Sequence, residues 1–136
     1  MLKHINWIGV LVSVVLLEVL GYLYYGPVFG EAWTAARGGV VAEPANAAMT
    51  YSLGAANTLI VVIGLDWLLR RLGATSLSAT VTGTLMTWLF FNFTTMAIDY
   101  LYVELNAQLV LINMGYQLLA YLVAGLVFGL IRPRTS

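Results

Sequence analysis

Residues 105–131 read LNAQLVLINMGYQLLAYLVAGLVFGLI and contain no charged side chain. Since a transmembrane helix needs about 20 consecutive, mostly apolar residues, this stretch is long enough to cross a bilayer. Residues 4–30, 44–65 and 72–98 share the pattern, and Glu18 is the only Asp, Glu, Lys or Arg within them. The sequence therefore predicts four transmembrane helices, at about residues 5–25, 46–69, 75–103 and 107–131.

The composition agrees with a membrane location. The chain is 61% hydrophobic and only 9% charged, whereas soluble domains contain about 25% charged residues. Its 136 residues leave room for one domain, and the short connections after the second and third helices force neighbouring helices to run antiparallel. We therefore expect one all-α integral membrane domain over residues 1–136, folded as an antiparallel bundle of four transmembrane helices in the lipid bilayer.

Reactive and metal-binding residues are scarce. The absence of cysteine excludes disulfides and thiolate zinc sites, and the single histidine, His4, lies at the N-terminus. Six basic and six acidic residues cancel, so the net charge does not indicate a nucleic-acid partner. We predict no metal and no cofactor. A membrane enzyme is the least favoured function, because Glu18, Asp66 and Asp99 fall at different depths.

The basic residues predict the orientation of the chain. With four spans, the N-terminus, the second connection and the C-terminus share one side. That side carries five of the six basic residues, Lys3, Arg70, Arg71, Arg132 and Arg134, and the other side carries Arg37. Because basic residues are enriched in cytoplasmic segments, both termini are expected in the cytoplasm.

The first loop, on the outer side, is the only long connection. Gly26-Pro27 is expected to end the first helix, and Pro27 can open a new one, since its missing N–H costs nothing at the first helical position. Phe29 and Trp33 then recur at helical spacing, with Gly30 between them. We expect a short interfacial or re-entrant helix in this loop.

Small residues indicate how the helices pack. In lipid, helices associate through close backbone contact and interhelical hydrogen bonds, so glycine and alanine mark contact faces. The fourth helix carries Gly125 and Gly129, and the third carries Ala79 and Gly83. Contact within one chain is the simpler interpretation, and dimerisation through the Gly125/Gly129 face is the alternative.

Polar residues within the spans predict a site. Ionisable groups in a membrane are costly and by default indicate function, which singles out Glu18 in the first helix. We expect a polar cavity around it, in the central or outer half of the membrane. Its candidate ligand- or ion-binding residues are Glu18, Tyr22, Asn57, Trp88, Asn92, Asp99, Asn113, Gln117 and Tyr121.

Each polar residue also has a structural interpretation. Glu18 could be a protonated, hydrogen-bonded group, because burial favours the neutral carboxyl. The third helix carries a predicted polar stripe within roughly 140° of its circumference at 100° per residue, formed by Thr80, Thr84, Thr87, Asn92, Thr95 and Asp99. Its threonines are expected to bond back to their own backbone. Asp66 and Arg70, spaced i,i+4, are expected to form an ordinary helix-stabilising pair.

Three stretches carry a family resemblance. They are Asn6-Trp7, Tyr24-Tyr25-Gly26-Pro27-Val28-Phe29-Gly30-Glu31-Ala32-Trp33 and Ile112-Asn113-Met114-Gly115-Tyr116. In order and layout, the chain resembles the DUF1761 family of small four-helix membrane proteins, whose function is unknown. The resemblance implies a multi-pass protein of a bacterial or archaeal cell (inner) membrane, but it implies no activity.

Two functions remain open. The first is binding or transport of a small cationic or amphipathic molecule, or an ion, around Glu18. The layout is similar to that of small multidrug resistance exporters, although the strong basic bias and the longer first loop depart from it. The alternative is a non-catalytic accessory or assembly subunit that packs against a partner, or forms a homo-oligomer, through its glycine-rich helix face.

Overall fold

The computed structural model describes residues 2–39 and 43–132. Its five helices within those ranges are α1 (Trp7–Val28), α2 (Gly30–Ala36), α3 (Ala47–Arg71), α4 (Leu77–Leu101) and α5 (Ala107–Leu130). All but α2 are long and apolar enough to cross a membrane. The predicted four-helix architecture with one short additional helix is therefore confirmed. Pro133 and Arg134, on which the predicted end of α5 and part of the charge bias rest, lie outside the described residues.

Each long helix begins at a polar side chain that caps it. Asparagine and serine side chains can accept a hydrogen bond from a backbone N–H of the first turn, which otherwise has no partner. In the four caps the side-chain oxygen accepts from a backbone N–H: Asn6 from Gly9 at 3.0 Å, Asn46 from Met49 at 3.0 Å, Ser76 from Ala79 at 3.0 Å, and Asn106 from Gln108 at 2.8 Å. Local sequence therefore accounts for where the long helices start.

The end of α1 differs from the prediction. The helix continues through Pro27 to Val28 in a widened π-helical turn, in which the Phe29 N–H bonds to the Tyr24 carbonyl at 2.8 Å. Proline lacks an N–H, and its ring crowds the carbonyl four residues earlier; the wider turn accommodates both effects. The expectation that Gly26-Pro27 ends the first helix was wrong. The short helix begins at Gly30 and not at Pro27.

The long helices run antiparallel in chain order. At one end of the bundle the Asn6 side chain donates to the Ile131 carbonyl, and the Asn6 N–H donates to Asp66 Oδ2 at 3.2 Å. We call this the basic end, because Arg70, Arg71 and Arg132 lie there, and the opposite end, beyond Tyr24, the aromatic end. The structure thus gathers Arg70, Arg71 and Arg132 at one end, whereas Arg37 lies beside Trp33 at the other, and the side of the membrane that each end faces stays a prediction.

The glycine-rich face of α5 packs against α4 of the same chain. A Cβ atom on Gly125 would lie 3.0 Å from Val81 Cα, and one on Gly129 would lie 3.0 Å from Leu77 Cα. Gly83 of α4 similarly packs against Leu69 of α3, where an added Cβ would lie 2.7 Å from Cδ2, while Ala79 is partly buried. Within the chain, the Gly125/Gly129 face therefore lies against α4, and dimerisation through this face stays a prediction.

Helix α3 packs through only one of its halves. Val62, Leu65 and Leu69, in the half toward the basic end, are at most 4% exposed, whereas Met49 is 59% and Tyr51 66% exposed. The first half of α3 therefore presents its side chains to the surroundings of the chain.

Candidate functional site

Five aromatic side chains from α1, α2, α5 and the residue between α1 and α2 form a cluster at the aromatic end. The Tyr116 ring of α5 lies 5.5 Å from that of Tyr24 and 5.2 Å from that of Tyr25, centroid to centroid. Phe29 lies 4.6 Å from Tyr24, and Trp33 lies 5.3 Å from Tyr25. Because edge and offset contacts at these distances are favourable, the cluster holds α2 against the bundle.

Two tyrosine hydroxyls attach the end of α1 to α5. The Tyr24 hydroxyl donates to the Ile112 carbonyl at 2.6 Å, and the Tyr25 hydroxyl donates to Asn113 Oδ1 at 2.9 Å. Gly115 leaves room for this arrangement, since a Cβ there would lie 2.7 Å from the Tyr24 hydroxyl oxygen. The Tyr24–Trp33 stretch and the Ile112–Tyr116 stretch, far apart in sequence, therefore contact each other directly. Asn113, predicted to bind a ligand, accepts a hydrogen bond from Tyr25.

We expect Tyr24→Phe to lower the free energy of unfolding by about 1 kcal/mol, the usual net contribution of one hydrogen bond. Tyr22→Phe is the matched control, because Tyr22 is 78% exposed and its hydroxyl has no hydrogen-bond partner within residues 2–39 and 43–132. Thermal unfolding in detergent micelles, followed by tryptophan fluorescence, compares the two variants. Equal losses of stability would contradict this role for Tyr24.

A small cavity with polar side chains in a mostly apolar lining lies between α1, α3 and α5. Its volume is about 50 Å³, and Asn57, Gln117 and Tyr121 line it together with Tyr116 and Leu17. A water molecule occupies roughly 30 Å³ in the liquid, so the cavity has room for a water molecule or one small polar group. Three of the residues predicted from separate helices thus converge on one space.

Glu18 lies on the surface of the bundle beside this cavity. Its neighbour Leu17 lines the cavity, and the Leu17 carbonyl accepts a hydrogen bond from the Tyr116 hydroxyl at 3.2 Å. The Glu18 side chain itself is exposed, as are those of Val19 and Tyr22 in the same helix. The carboxylate is therefore accessible from outside a single chain and does not lie in its core.

A second widened turn, Trp88–Phe93, interrupts α4 at mid-length. Trp88 Nε1 and Asn92 Oδ1 are buried there without a hydrogen-bond partner in the described part of the chain, and Asn92 lies beside the Tyr121 side chain. The wide turn also separates the polar stripe predicted for this helix, because a π-helical turn changes the helical register.

The threonines before and after the wide turn differ in burial. Thr80 and Thr84 are at most 2% exposed, whereas Thr95, in the second half of α4, is exposed. All three bond back to carbonyls of their own helix, Thr80 to Leu77, Thr84 to Val81 and Thr95 to Phe91. The predicted structural role of the threonines is therefore confirmed.

Two predicted site residues lie apart from the cavity. Tyr22 points away from the bundle, and Asp99 is partly buried near the end of α4. No group of three His, Asp or Glu side chains in residues 2–39 and 43–132 could hold a metal ion.

Three contributors were not among the predicted site residues: Tyr24 and Tyr25, and Tyr116 of α5. The sequence did contain one signal: both motif stretches include tyrosine, and a buried tyrosine hydroxyl usually has a hydrogen-bond partner. Periodicity alone does not show which distant helix supplies the acceptor.

Comparison with known proteins identifies the family. The model described as "Protein of unknown function (DUF1761)" matches residues 8–129, nearly the whole chain. No curated protein and no solved structure matches. The matched region contains both stretches that meet at the aromatic end, together with the residues that line the small cavity. The chain therefore belongs to the DUF1761 family, whose function is unknown.

Proposed function

We propose that this protein spans a membrane and binds a small cationic or amphipathic molecule at the cavity between α1, α3 and α5, with Glu18 as the counter-charge. The observation that carries the proposal is the convergence of Asn57, Gln117 and Tyr121 on one cavity beside Glu18. An amide or phenol within an apolar span is costly unless it is hydrogen-bonded. Polar groups gathered around one space therefore favour a bound polar group.

The charge and shape of the surroundings favour a cation with an apolar body. A carboxylate attracts a cation, and aromatic faces such as Tyr116 add to that attraction. The cavity holds only a small polar group, so the remainder of the ligand would lie along the exposed first half of α3, beside Tyr51 and Leu53.

We expect Glu18→Gln to weaken binding of tetraphenylphosphonium, a lipophilic monovalent cation, by about tenfold, corresponding to about 1.4 kcal/mol for the loss of one charge pair. Glu31→Gln is the matched control, since Glu31 is equally exposed but lies in α2. Isothermal titration of the purified chain in uncharged micelles gives the two affinities. Proton-coupled uptake of the same cation into vesicles tests transport.

Equal affinities for the two variants would remove Glu18 from the site. Gln117→Leu distinguishes the contribution of the cavity to cation binding from that of the Glu18 charge. It removes an amide from the cavity lining and leaves the Glu18 carboxylate in place. If Gln117→Leu bound the cation as well as the unchanged chain, the cavity would not be the binding site.

An accessory role is the second candidate, and the exposed half of α3 favours it. The side chains of Met49, Tyr51 and Leu53 are each more than half exposed, and a partner helix could cover them together with Glu18. The glycine-rich face of α5 lies against α4, which favours the exposed half of α3 as the partner surface. Crosslinking from α3 and native mass spectrometry distinguish this candidate, because a monomer that binds tetraphenylphosphonium would count against it.

A further inference from the structure

A larger cleft lies at the basic end of the bundle, whereas the cavity of the proposed function lies near mid-length of the helices. Its volume is about 480 Å³, within the range of about 300–1,000 Å³ that is usual for ligand pockets. It opens between the start of α1, the α3–α4 turn and the end of α5. Asn6, Asp66, Arg70, Thr75, Phe128 and Arg132 contribute to its lining.

The one carboxylate in this cleft is already engaged. Asp66 is 4% exposed, and its Oδ2 accepts the Asn6 N–H at 3.2 Å and Arg70 Nε at 2.8 Å. The Asn6 side chain is also engaged, since it caps α1 and donates to the Ile131 carbonyl. Asp66 and Asn6 therefore belong to the wall of the cleft, where they also join the starts and ends of three helices.

Two guanidinium groups give the cleft a net positive charge. Arg70 and Arg132 stand against the single carboxylate of Asp66, so the formal charges sum to +1. Arg132 is exposed and uses Nε for the Gly129 carbonyl at 3.1 Å. The terminal nitrogens of both arginines make no hydrogen bond to residues 2–39 or 43–132. Planar guanidinium groups with unused N–H donors are well suited to bind phosphate in a bidentate manner.

We propose that this cleft binds the phosphate of an anionic phospholipid head group. The position favours a lipid over a soluble phosphate, because the cleft opens at the ends of four apolar helices, where head groups would lie. Phe128 and Leu69 supply an apolar part of the lining that would contact the glycerol region. Next to the cleft, Arg71 lies over the Trp67 ring at 5.5 Å, an arrangement typical of residues at a membrane interface.

Arg132→Gln tests this site with little risk to folding, since the side chain is exposed. Native mass spectrometry of the full chain, titrated with phosphatidylglycerol or phosphatidylcholine in uncharged micelles, measures retention of each lipid. We expect the unchanged chain to retain one phosphatidylglycerol in preference to phosphatidylcholine. We expect Arg132→Gln to weaken that binding by at least about tenfold, because it removes a charge-assisted hydrogen bond to the phosphate.

Arg71→Gln is the matched control, because it removes the same charge one residue from Arg70 while its guanidinium lies over Trp67. It should change phosphatidylglycerol binding less than twofold. Equal loss in both variants, or equal retention of the two lipids, would overturn the proposal. In a third titration, inorganic phosphate is added to the chain with phosphatidylglycerol bound. If it displaced the lipid at micromolar concentration, the cleft would be a soluble-phosphate site and the lipid assignment would be wrong.

Discussion

Gly125→Ala is expected to destabilise the protein by about 1–3 kcal/mol, the usual cost of overpacking a close contact. The added Cβ would meet Thr84 Oγ1 and would lie 3.0 Å from Val81 Cα and 3.2 Å from the Thr80 carbonyl oxygen. Thr84 is fully buried, and two of the three obstacles are backbone atoms. Helices α4 and α5 must therefore separate locally, which also strains the hydrogen bond of 2.9 Å from the Thr80 hydroxyl to the Gly125 carbonyl.

Gly64→Ala is the matched control and should have the opposite sign. Gly64 lies inside α3 with no atom within 4 Å of an added Cβ, and replacing an unhindered helical glycine by alanine stabilises by about 0.5–1 kcal/mol. Reversible unfolding in mixed micelles, followed by tryptophan fluorescence, gives both free energies. If the two variants shifted stability in the same direction, the α4–α5 contact would not be as close as the structure shows.

The positions of the helices could be predicted because the pattern of charged residues alone separates the spans. The polar caps Asn6, Asn46, Ser76 and Asn106 then determine where each long helix starts. The end of α1 could not be predicted in the same way. There Pro27 lies in a wide turn that begins at Tyr24, and Tyr24 and Tyr25 bond to the distant helix α5, which the local sequence does not specify.

The rotation of each helix was harder to predict than its position. In lipid both faces of a helix are apolar, so hydrophobic periodicity does not say which face is buried. Polarity within a span selected Asn57, Gln117 and Tyr121, and these residues line the same cavity. The same criterion selected Glu18 and Tyr22, which are exposed.

The wide turn in α4 also made it harder to predict which residues face the interior of the bundle. The predicted polar stripe assumed a constant 100° per residue, and the turn at Trp88–Phe93 breaks that assumption. Asn92 therefore lies beside Tyr121 while Thr95 is exposed. A π-helical turn depends on the contacts around it, so one sequence read by periodicity does not reveal it.

Asp66 makes more contacts in the structure than its spacing in the sequence predicted. Its spacing from Arg70 predicted an ordinary i,i+4 pair, and that pair exists at 2.8 Å. Such pairs contribute about 0.3–0.5 kcal/mol on an exposed helix. Asp66, however, is buried and also accepts the Asn6 N–H, so one carboxylate joins α3 to the start of α1. Asn6 in turn donates to the Ile131 carbonyl, which connects α1 to the end of α5.

Asp66→Ala is therefore expected to lower the free energy of unfolding by about 2–3 kcal/mol. Breaking a fully buried pair costs about 3–5 kcal/mol, and the smaller value applies because the Arg70 side chain is 35% exposed and water can solvate it. Asp66→Asn keeps an acceptor for the Asn6 N–H and loses only the charge, so it should cost about half as much.

Asp99→Ala is the control for the loss of a carboxylate, since its side chain makes no hydrogen bond in the described ranges and is only partly buried. It should change stability by less than about 0.5 kcal/mol. Unfolding in mixed micelles measures the three variants. Hydrogen exchange at the Asn6 amide then separates the two roles of Asp66: exchange should accelerate in Asp66→Ala but stay slow in Asp66→Asn. If Asp66→Ala cost no more than Asp99→Ala, the carboxylate would be an ordinary surface pair and the basic end would be held together by other contacts.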